Sequence, residues 1–158
     1  MSVNGQKTSV AISNNIQSSV AEYKKLFLEK NYERLANLAS PNLIKHLSSK
    51  EDLIFLFDSF DQEIQTRQVK IVDISFGDIS KIYYEGKELQ CSIPLEIKME
   101  NEKVYAYVYS SLALISLDDG DKWYFAFKVE EDDLINNEVL GLNKNIVLPA
   151  RIQKKVQK

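Results

Sequence analysis

The chain has 158 residues, of which 44% are hydrophobic and 27% are charged, as is normal for one globular domain of ordinary size. Such a chain can bury a core without disulfides, and its single cysteine, Cys91, excludes an internal disulfide and a cysteine-only metal cluster. Residues 1–133 carry a net charge of −7, and residues 134–158 carry a net charge of +4. The acidic charge of residues 1–133 argues against nucleic acid as the main partner, because phosphate contacts need a basic face.

The chain opens with polar sequence. Residues 1–11 are rich in Ser, Asn, Gly and Gln, which predicts a flexible lead. Residues 1–19 lack the apolar stretch of a signal peptide, and no apolar run is as long as a transmembrane segment. The run Ser2–Lys7 nevertheless resembles the end of secretory leaders in some bacterial envelope proteins. Localisation is therefore open: periplasm or envelope if a leader preceded Ser2, and cytoplasm otherwise.

Helical periodicity fills the sequence from about residue 12 to residue 65. The first predicted helix, about 12–30, has an apolar face made of Ile12, Ile16, Val20, Tyr23 and Phe27. A short helix over 32–39 follows, and Pro41 is expected to end it. The run Ser48–Glu51 matches a capping box and predicts a third helix, whose buried side consists of Leu53, Leu56, Phe57, Phe60 and Ile64.

From Thr66 the apolar period changes to two, which predicts four strands at about 67–80, 88–99, 103–117 and 122–130. Apolar residues change faces near Asp73, which indicates a bulge in the first strand. Residues 134–158 lack a clear period and are expected to be a basic tail, partly ordered at most. Helices first and strands second predict an α+β domain with the helices on one face of an antiparallel sheet.

Two segments resemble parts of NTF2-like domains. The run Tyr23–Pro41, in which a long helix ends and a short helix follows, is similar to their opening, and Asp119–Phe127 resembles their last hairpin. The resemblance covers about residues 12–130 and implies an NTF2-like domain over 12–133. It implies a cone in which N-terminal helices pack in the concave face of a curved sheet of about four strands. It also implies frequent dimers through the outer sheet face, and a cystatin-like arrangement is the close structural relative.

Some members of this superfamily are enzymes, and the resemblance directs attention to acid–base groups. Isomerase members pair an aspartate base with tyrosine donors, so Asp73 and the tyrosines are the candidates here. His46 is a candidate general base at a pocket mouth, although a lone surface histidine is the plainer interpretation. One histidine makes a histidine-based metal site improbable, and we expect no metal. We also expect no cofactor, because the five glycines are scattered and form no phosphate loop.

Five aromatic residues are the candidate binding residues: Tyr23, Tyr105, Tyr107, Tyr109 and Trp123. Tyr105, Tyr107 and Tyr109 share one face of the third predicted strand. They could line a ligand pocket, form a dimer interface on the outer face, or serve only as good strand formers. Trp123 is expected to pack against the helices, which is compatible with a pocket wall.

These residues favour a protein without catalysis, which binds a small apolar or aromatic ligand in its cone or a protein partner through its sheet face. A second copy of the chain is the expected partner. The alternative is a small-molecule isomerase or lyase with Asp73 as base. A second alternative is a bacterial envelope or immunity-type protein that acts through its surface.

Overall fold

The computed structural model describes residues 9–158, which form five helices and six strands in an α+β arrangement. The helices are α1 (Ser9–Leu28), α2 (Tyr32–Ala36), α3 (Pro41–Leu47), α4 (Lys50–Thr66) and α5 (Asp133–Leu140). The strands are β1 (Lys70–Phe76), β2 (Tyr83–Glu85), β3 (Glu88–Glu100), β4 (Val104–Ser116), β5 (Tyr124–Ala126) and β6 (Ile152–Gln157). The predicted fold class is confirmed: the N-terminal helices precede a curved, open antiparallel sheet.

The helix boundaries differ from the predicted ones in two places. Helix α1 begins at Ser9, so the last part of the predicted flexible lead is helical, while residues 1–8 lie outside the described residues. Pro41 does not end a helical region but opens α3, after Ser40, whose hydroxyl accepts a hydrogen bond from the backbone N–H of Leu43. Proline suits the first turn of a helix because the amide proton that it lacks has no intrahelical acceptor there.

Helix α4 begins one residue later than the predicted capping box implies. The hydroxyl of Ser49, rather than that of Ser48, accepts from the backbone N–H of Asp52 at 3.1 Å. Leu53, Phe57 and Ile64 are buried as predicted, whereas Leu56 is exposed and Phe60 is half-buried. The apolar stripe of α4 therefore extends beyond the part that packs against the sheet.

The sheet runs in the order β1-β3-β4-β5, with β2 on the edge of β3 and β6 on the edge of β4. The register of β1 shifts between Ile71 and Asp73, which confirms the predicted bulge. Strands β5 and β6 share one edge of β4: β5 pairs with residues 113–115 and β6 with residues 104–109. The predicted fourth strand, 122–130, shrinks to the three residues of β5.

The C-terminal region is more regular than predicted. We expected residues 134–158 to be a basic tail with little order, whereas this region contains most of α5 and the whole of β6. Asp132 caps α5 by accepting from the N–H groups of Leu134 and Ile135, and Gly141 ends the helix in the left-handed conformation. Strand β6 was not predicted, because all of its residues are exposed and they show no apolar alternation.

The two faces of the sheet are distinguished by the register of β3 and β4. Ile93, Ile97, Val108 and Leu112 lie on the concave face toward the helices, because Ile93 pairs with Leu112 and Ile97 with Val108. Their neighbours along the chain point to the outer face. Within residues 9–158, no helix is both long enough and apolar enough to cross a bilayer.

Candidate functional site

The concave face of the sheet borders two adjacent, partly open cavities between the strands and α4. The larger has a volume of about 500 Å³ and the smaller one of about 400 Å³. Phe60 and Val108 line both of them. The apolar wall of the larger cavity consists mainly of Tyr23, Phe27, Phe57, Leu95, Ile97, Leu112 and Phe127, and that of the smaller one of Ile64, Val69, Met99, Val104 and Ala106.

The larger cavity has an aromatic wall built by α1, α4 and the end of the sheet. The rings of Tyr23 and Phe125 meet edge to face at 5.0 Å between centroids, and Tyr23 also stacks on Phe27 at 6.0 Å. Phe57 contacts Phe27 edge to face at 6.1 Å and Phe127 at 6.5 Å. Edge-to-face and offset pairs of this kind hold rings in fixed orientations, so the wall is preformed.

Tyr23 and Ser110 are the uncharged polar side chains that border the larger cavity. The side chain of Tyr23 is 7% exposed, and its hydroxyl makes no hydrogen bond with any residue between 9 and 158. Burial, reinforced by nearby Tyr32, raises the pKa of this hydroxyl far above its ordinary value, so it stays protonated. A buried tyrosine hydroxyl usually has a partner, and Tyr23 is therefore a donor available to a ligand.

The mouths of the cavities are lined by charged side chains. Lys128, Glu131 and Arg151 border the larger cavity, and Glu63, Arg67 and Lys155 are among those that border the smaller one. The guanidinium of Arg151 lies 5.8 Å from the centre of the Phe60 ring, which fixes it over the apolar wall. The cavities thus combine an aromatic interior with a polar rim, as small-molecule sites commonly do.

Trp123 serves the core rather than the larger cavity. It is 3% exposed, and its indole N–H donates to the carbonyl of Gly120 at 3.0 Å. Together with Leu114 and Phe125 it surrounds only a small void of about 10 Å³. The expected packing of Trp123 is therefore what the structure contains, and the ring is not part of the larger cavity's wall.

The three tyrosines of β4 lie on the outer face, opposite the cavities. Tyr107 and Tyr109 stack with their ring centres 6.2 Å apart. Tyr105 lies between Lys98 and Lys158, each with its ammonium 4.8 Å from the ring centre. This row of tyrosines is extended by apolar side chains of β6, where Val156 pairs with Tyr105 and Ile152 with Tyr109. The register places the three tyrosines on the outer face, although Tyr107 also borders the smaller cavity.

Asp73 does not meet the requirements of a general base in a pocket. Its side chain is 54% exposed on the outer side of β1, where its carboxylate pairs with the Lys24 ammonium at 3.0 Å. The hydrogen bond from Lys24 is the main reason why the pKa of Asp73 lies below its ordinary value. A base tuned for enolisation needs a carboxyl pKa raised by burial, which is the opposite shift.

His46 also lies apart from the cavities. It is on α3 and borders neither of the two, and its nearest charged partner is Glu130, with 3.7 Å between Nε2 and the carboxylate. Asp73 and His46 are thus on different parts of the surface, and the cavity residues that carry carboxylates, Glu63 and Glu131, are at the rims. The structure does not bring the predicted acid–base candidates together.

The carboxylates of the Asp118–Asp121 turn are used locally. Asp118 accepts from the Ser116 hydroxyl and from the Lys122 backbone N–H, both at 2.9 Å, which lowers its pKa. Among residues 9–158, no three His, Cys, Asp or Glu side chains gather as metal ligands do.

The sequence analysis missed most of the residues that shape the site. Phe60 was predicted only as part of the buried side of a helix, and Val108 and Phe127 were not singled out, yet each of the three borders a cavity. Arg151 and Lys155 were assigned to a tail of uncertain order. The one signal available was the length of the apolar stripe on α4, which exceeds what the sheet covers. No protein-family model matches this chain, and no curated protein matches it in sequence.

Proposed function

We propose that the protein binds a small apolar or aromatic ligand in the larger concave cavity and does no chemistry on it, as an NTF2-like ligand-binding domain. The observation that carries this proposal is a preformed aromatic wall beside hydroxyl groups without a protein partner among residues 9–158, chiefly that of Tyr23. A cavity of about 500 Å³ lies within the usual range of small-molecule sites. The ligand body would lie against the rings, with a hydrogen-bond acceptor toward Tyr23.

The experiment is a titration with N-phenyl-1-naphthylamine, a neutral apolar fluorophore whose emission rises when it leaves water. We expect saturable binding to the native protein. The variant Ser110→Phe fills the cavity, because Ser110 lies on the concave face of β4 and borders the cavity, and it should weaken binding at least about tenfold. Ser111→Phe is the matched control, since Ser111 is the next residue and points to the outer face.

Equal binding by both variants would place the probe outside the cavity and contradict the proposal. Absence of saturable binding in the native protein would do the same. Circular dichroism and thermal unfolding of each variant show whether the fold is retained, so that a loss of binding by Ser110→Phe is compared only between folded proteins.

A second candidate function is self-association through the outer face, which is favoured by the exposed row of tyrosines on β4. Tyr109, Ile152 and Val156 are exposed there, at 37%, 60% and 38%. Around them stand charges of both signs, Glu96, Lys98, Glu100 and Lys154, in neighbouring register positions. A two-fold axis through such a patch can bring each acidic residue opposite a basic one, so the occupant we propose is a second copy of the chain.

The dimer is tested by sedimentation velocity over a range of protein concentrations. We expect a dimer that Tyr107→Glu splits, because the substitution removes the ring that stacks on Tyr109 and puts a charge that must lose its water at the centre of the interface. Tyr84→Glu is the control: Tyr84 is 70% exposed on β2, outside this patch. A native protein that is monomeric at all concentrations would contradict the dimer and leave the cavity proposal unaffected.

The isomerase or lyase alternative has less support. It would need a carboxylate close to the Tyr23 hydroxyl inside the cavity, and Asp73 is instead ion-paired on the outer side. Export to the envelope, and an immunity-type role with it, stays a prediction from the N-terminal sequence.

A further inference from the structure

The charges around the cavities differ in sign from those of the rest of the protein. Residues 1–133 are acidic overall, yet the residues that line the two cavities include five basic and two acidic ones: Arg67, Lys128, Arg151, Lys154 and Lys155 against Glu63 and Glu131. Two of the cations have carboxylate partners. Arg67 pairs with Glu63 at 2.8 Å, and Lys128 pairs with Asp133 at 3.3 Å.

Arg151 and Lys155 are cations without a carboxylate partner among residues 9–158, and the C-terminal strand directs both toward the concave side. Lys155 pairs with Ala106, whose side chain borders the smaller cavity, and Arg151 lies over Phe60, which borders both cavities. Lys154 pairs with Tyr107 and by alternation belongs to the outer face. The basic charge of the C-terminal region is therefore divided between the two faces, with two unpaired cations beside the apolar wall.

We propose that the ligand is an anionic amphipath, with an apolar body on the aromatic wall and a carboxylate held at the mouth of the larger cavity by Arg151, while Lys155 at the adjacent smaller cavity adds to the positive potential. This inference rests on the proposed function of the larger cavity and specifies the class of its ligand. A carboxylate matches the planar guanidinium of Arg151, which can donate two parallel hydrogen bonds. Because these cations border concave cavities with apolar walls, they suit a free small molecule better than an extended anionic surface.

The first test compares head groups on the same apolar body. Dodecanoate, 1-dodecanol and dodecyltrimethylammonium compete with bound N-phenyl-1-naphthylamine, each below its micelle concentration. We expect dodecanoate to displace the probe at a concentration about tenfold lower than dodecanol, and the ammonium compound to be the weakest. Added salt should weaken dodecanoate binding and leave dodecanol binding unchanged, because salt screens only the charged contact.

The second test reverses the charge of single side chains. Arg151→Glu should lower the ratio of dodecanoate affinity to dodecanol affinity about five- to tenfold, and Lys155→Glu should lower it by less, because Lys155 borders only the smaller cavity. Lys87→Glu is the matched control. It makes the same charge change on an exposed turn that borders neither cavity, so it should leave both affinities unchanged.

The outcomes separate the two proposals. If the neutral probe binds and dodecanoate is no better than dodecanol, the anionic ligand is refuted while the cavity function stands. If the neutral probe does not bind, the cavity function itself fails. If dodecanoate shows no preference but phosphatidylglycerol vesicles co-sediment with the native protein and not with Arg151→Glu, the cations serve a membrane surface and the inference is overturned.

Discussion

The two halves of the β3–β4 pair have the same backbone geometry but very different surroundings. In the half that contains Ile93 and Leu112–Ser116, both faces of the sheet are covered, and residues 112–116 of β4 are all buried. In the half that contains Ile97 and Val104–Tyr109, the concave face borders the cavities and the outer face carries exposed tyrosines. The first half stabilises the fold, and the second half offers surfaces for binding.

The difference arises from what covers each half. On the concave side, α1 reaches the covered half, whereas the other half faces the part of α4 that contains half-buried Phe60. On the outer side, residues 141–148 run across the covered half and stop there, and β6 continues only along the edge. A strand that is long enough to pass beyond its coverings thus creates a cavity on one face and an open patch on the other.

The largest expected effect on stability comes from truncating two isoleucines of β3, one in each half of the sheet. Ile93 is fully buried in the covered half, and Ile97, four residues on and on the same concave face, borders the larger cavity. We expect Ile93→Ala to lower the free energy of unfolding by about 4 kcal/mol and Ile97→Ala by about 2 kcal/mol, both within the usual range for such truncations. The reason is that the side chain of Ile97 has fewer contacts to lose.

Chemical denaturation followed by Trp123 fluorescence measures both values, and equal slopes against denaturant show that the two variants unfold to comparable states. An equal loss of stability in the two variants would mean that the cavity is closed by packing in solution. A larger loss for Ile97→Ala would contradict the division of the sheet into two halves.

Much of the covered half could be predicted from the sequence. The apolar face of α1 and the alternation of β3 identify it, because side chains that are buried on regular elements leave a period in the sequence. The bulge before Asp73 was visible for the same reason, as a change of that period. Pro41 was misjudged because proline is as suited to the first turn of a helix as it is to the end of one, and the cap at Ser40 decides between them.

The candidate site was harder to predict, because a cavity is an absence of packing and leaves no period. Val108 alternates like any core residue, although it borders both cavities. Strand β6 has exposed residues on both faces, so its pairing with β4 depends on backbone hydrogen bonds that do not constrain the side chains. The sequence alone therefore assigns Arg151 and Lys155 to a tail, and their position beside the cavities becomes clear only when β6 is known to pair with β4.

Gln90 provides the smaller test, directed at the covering of the outer face. It is fully buried there: its amide donates to the Gly141 carbonyl at 2.8 Å, and its oxygen accepts from the Asn143 N–H at 2.7 Å. Gln90→Ala leaves both backbone groups unsatisfied, so we expect a loss of about 1–3 kcal/mol in unfolding free energy. Gln65→Ala, which removes an exposed amide from α4, is the control and should cost less than about 0.5 kcal/mol.

Hydrogen exchange at the Asn143 amide shows whether that loss is local. We expect Gln90→Ala to speed exchange there far more than at the amides of β3, because the covering segment would open while the sheet stays folded. Gln90→Glu sharpens the test: its carboxylate still accepts from Asn143 but cannot donate to Gly141, and it adds a negative charge beside Glu88. It should destabilise the protein while Asn143 stays better protected than in Gln90→Ala. Uniform exchange across β3 and residues 141–143 would instead mean that the covering segment and the sheet open as one unit.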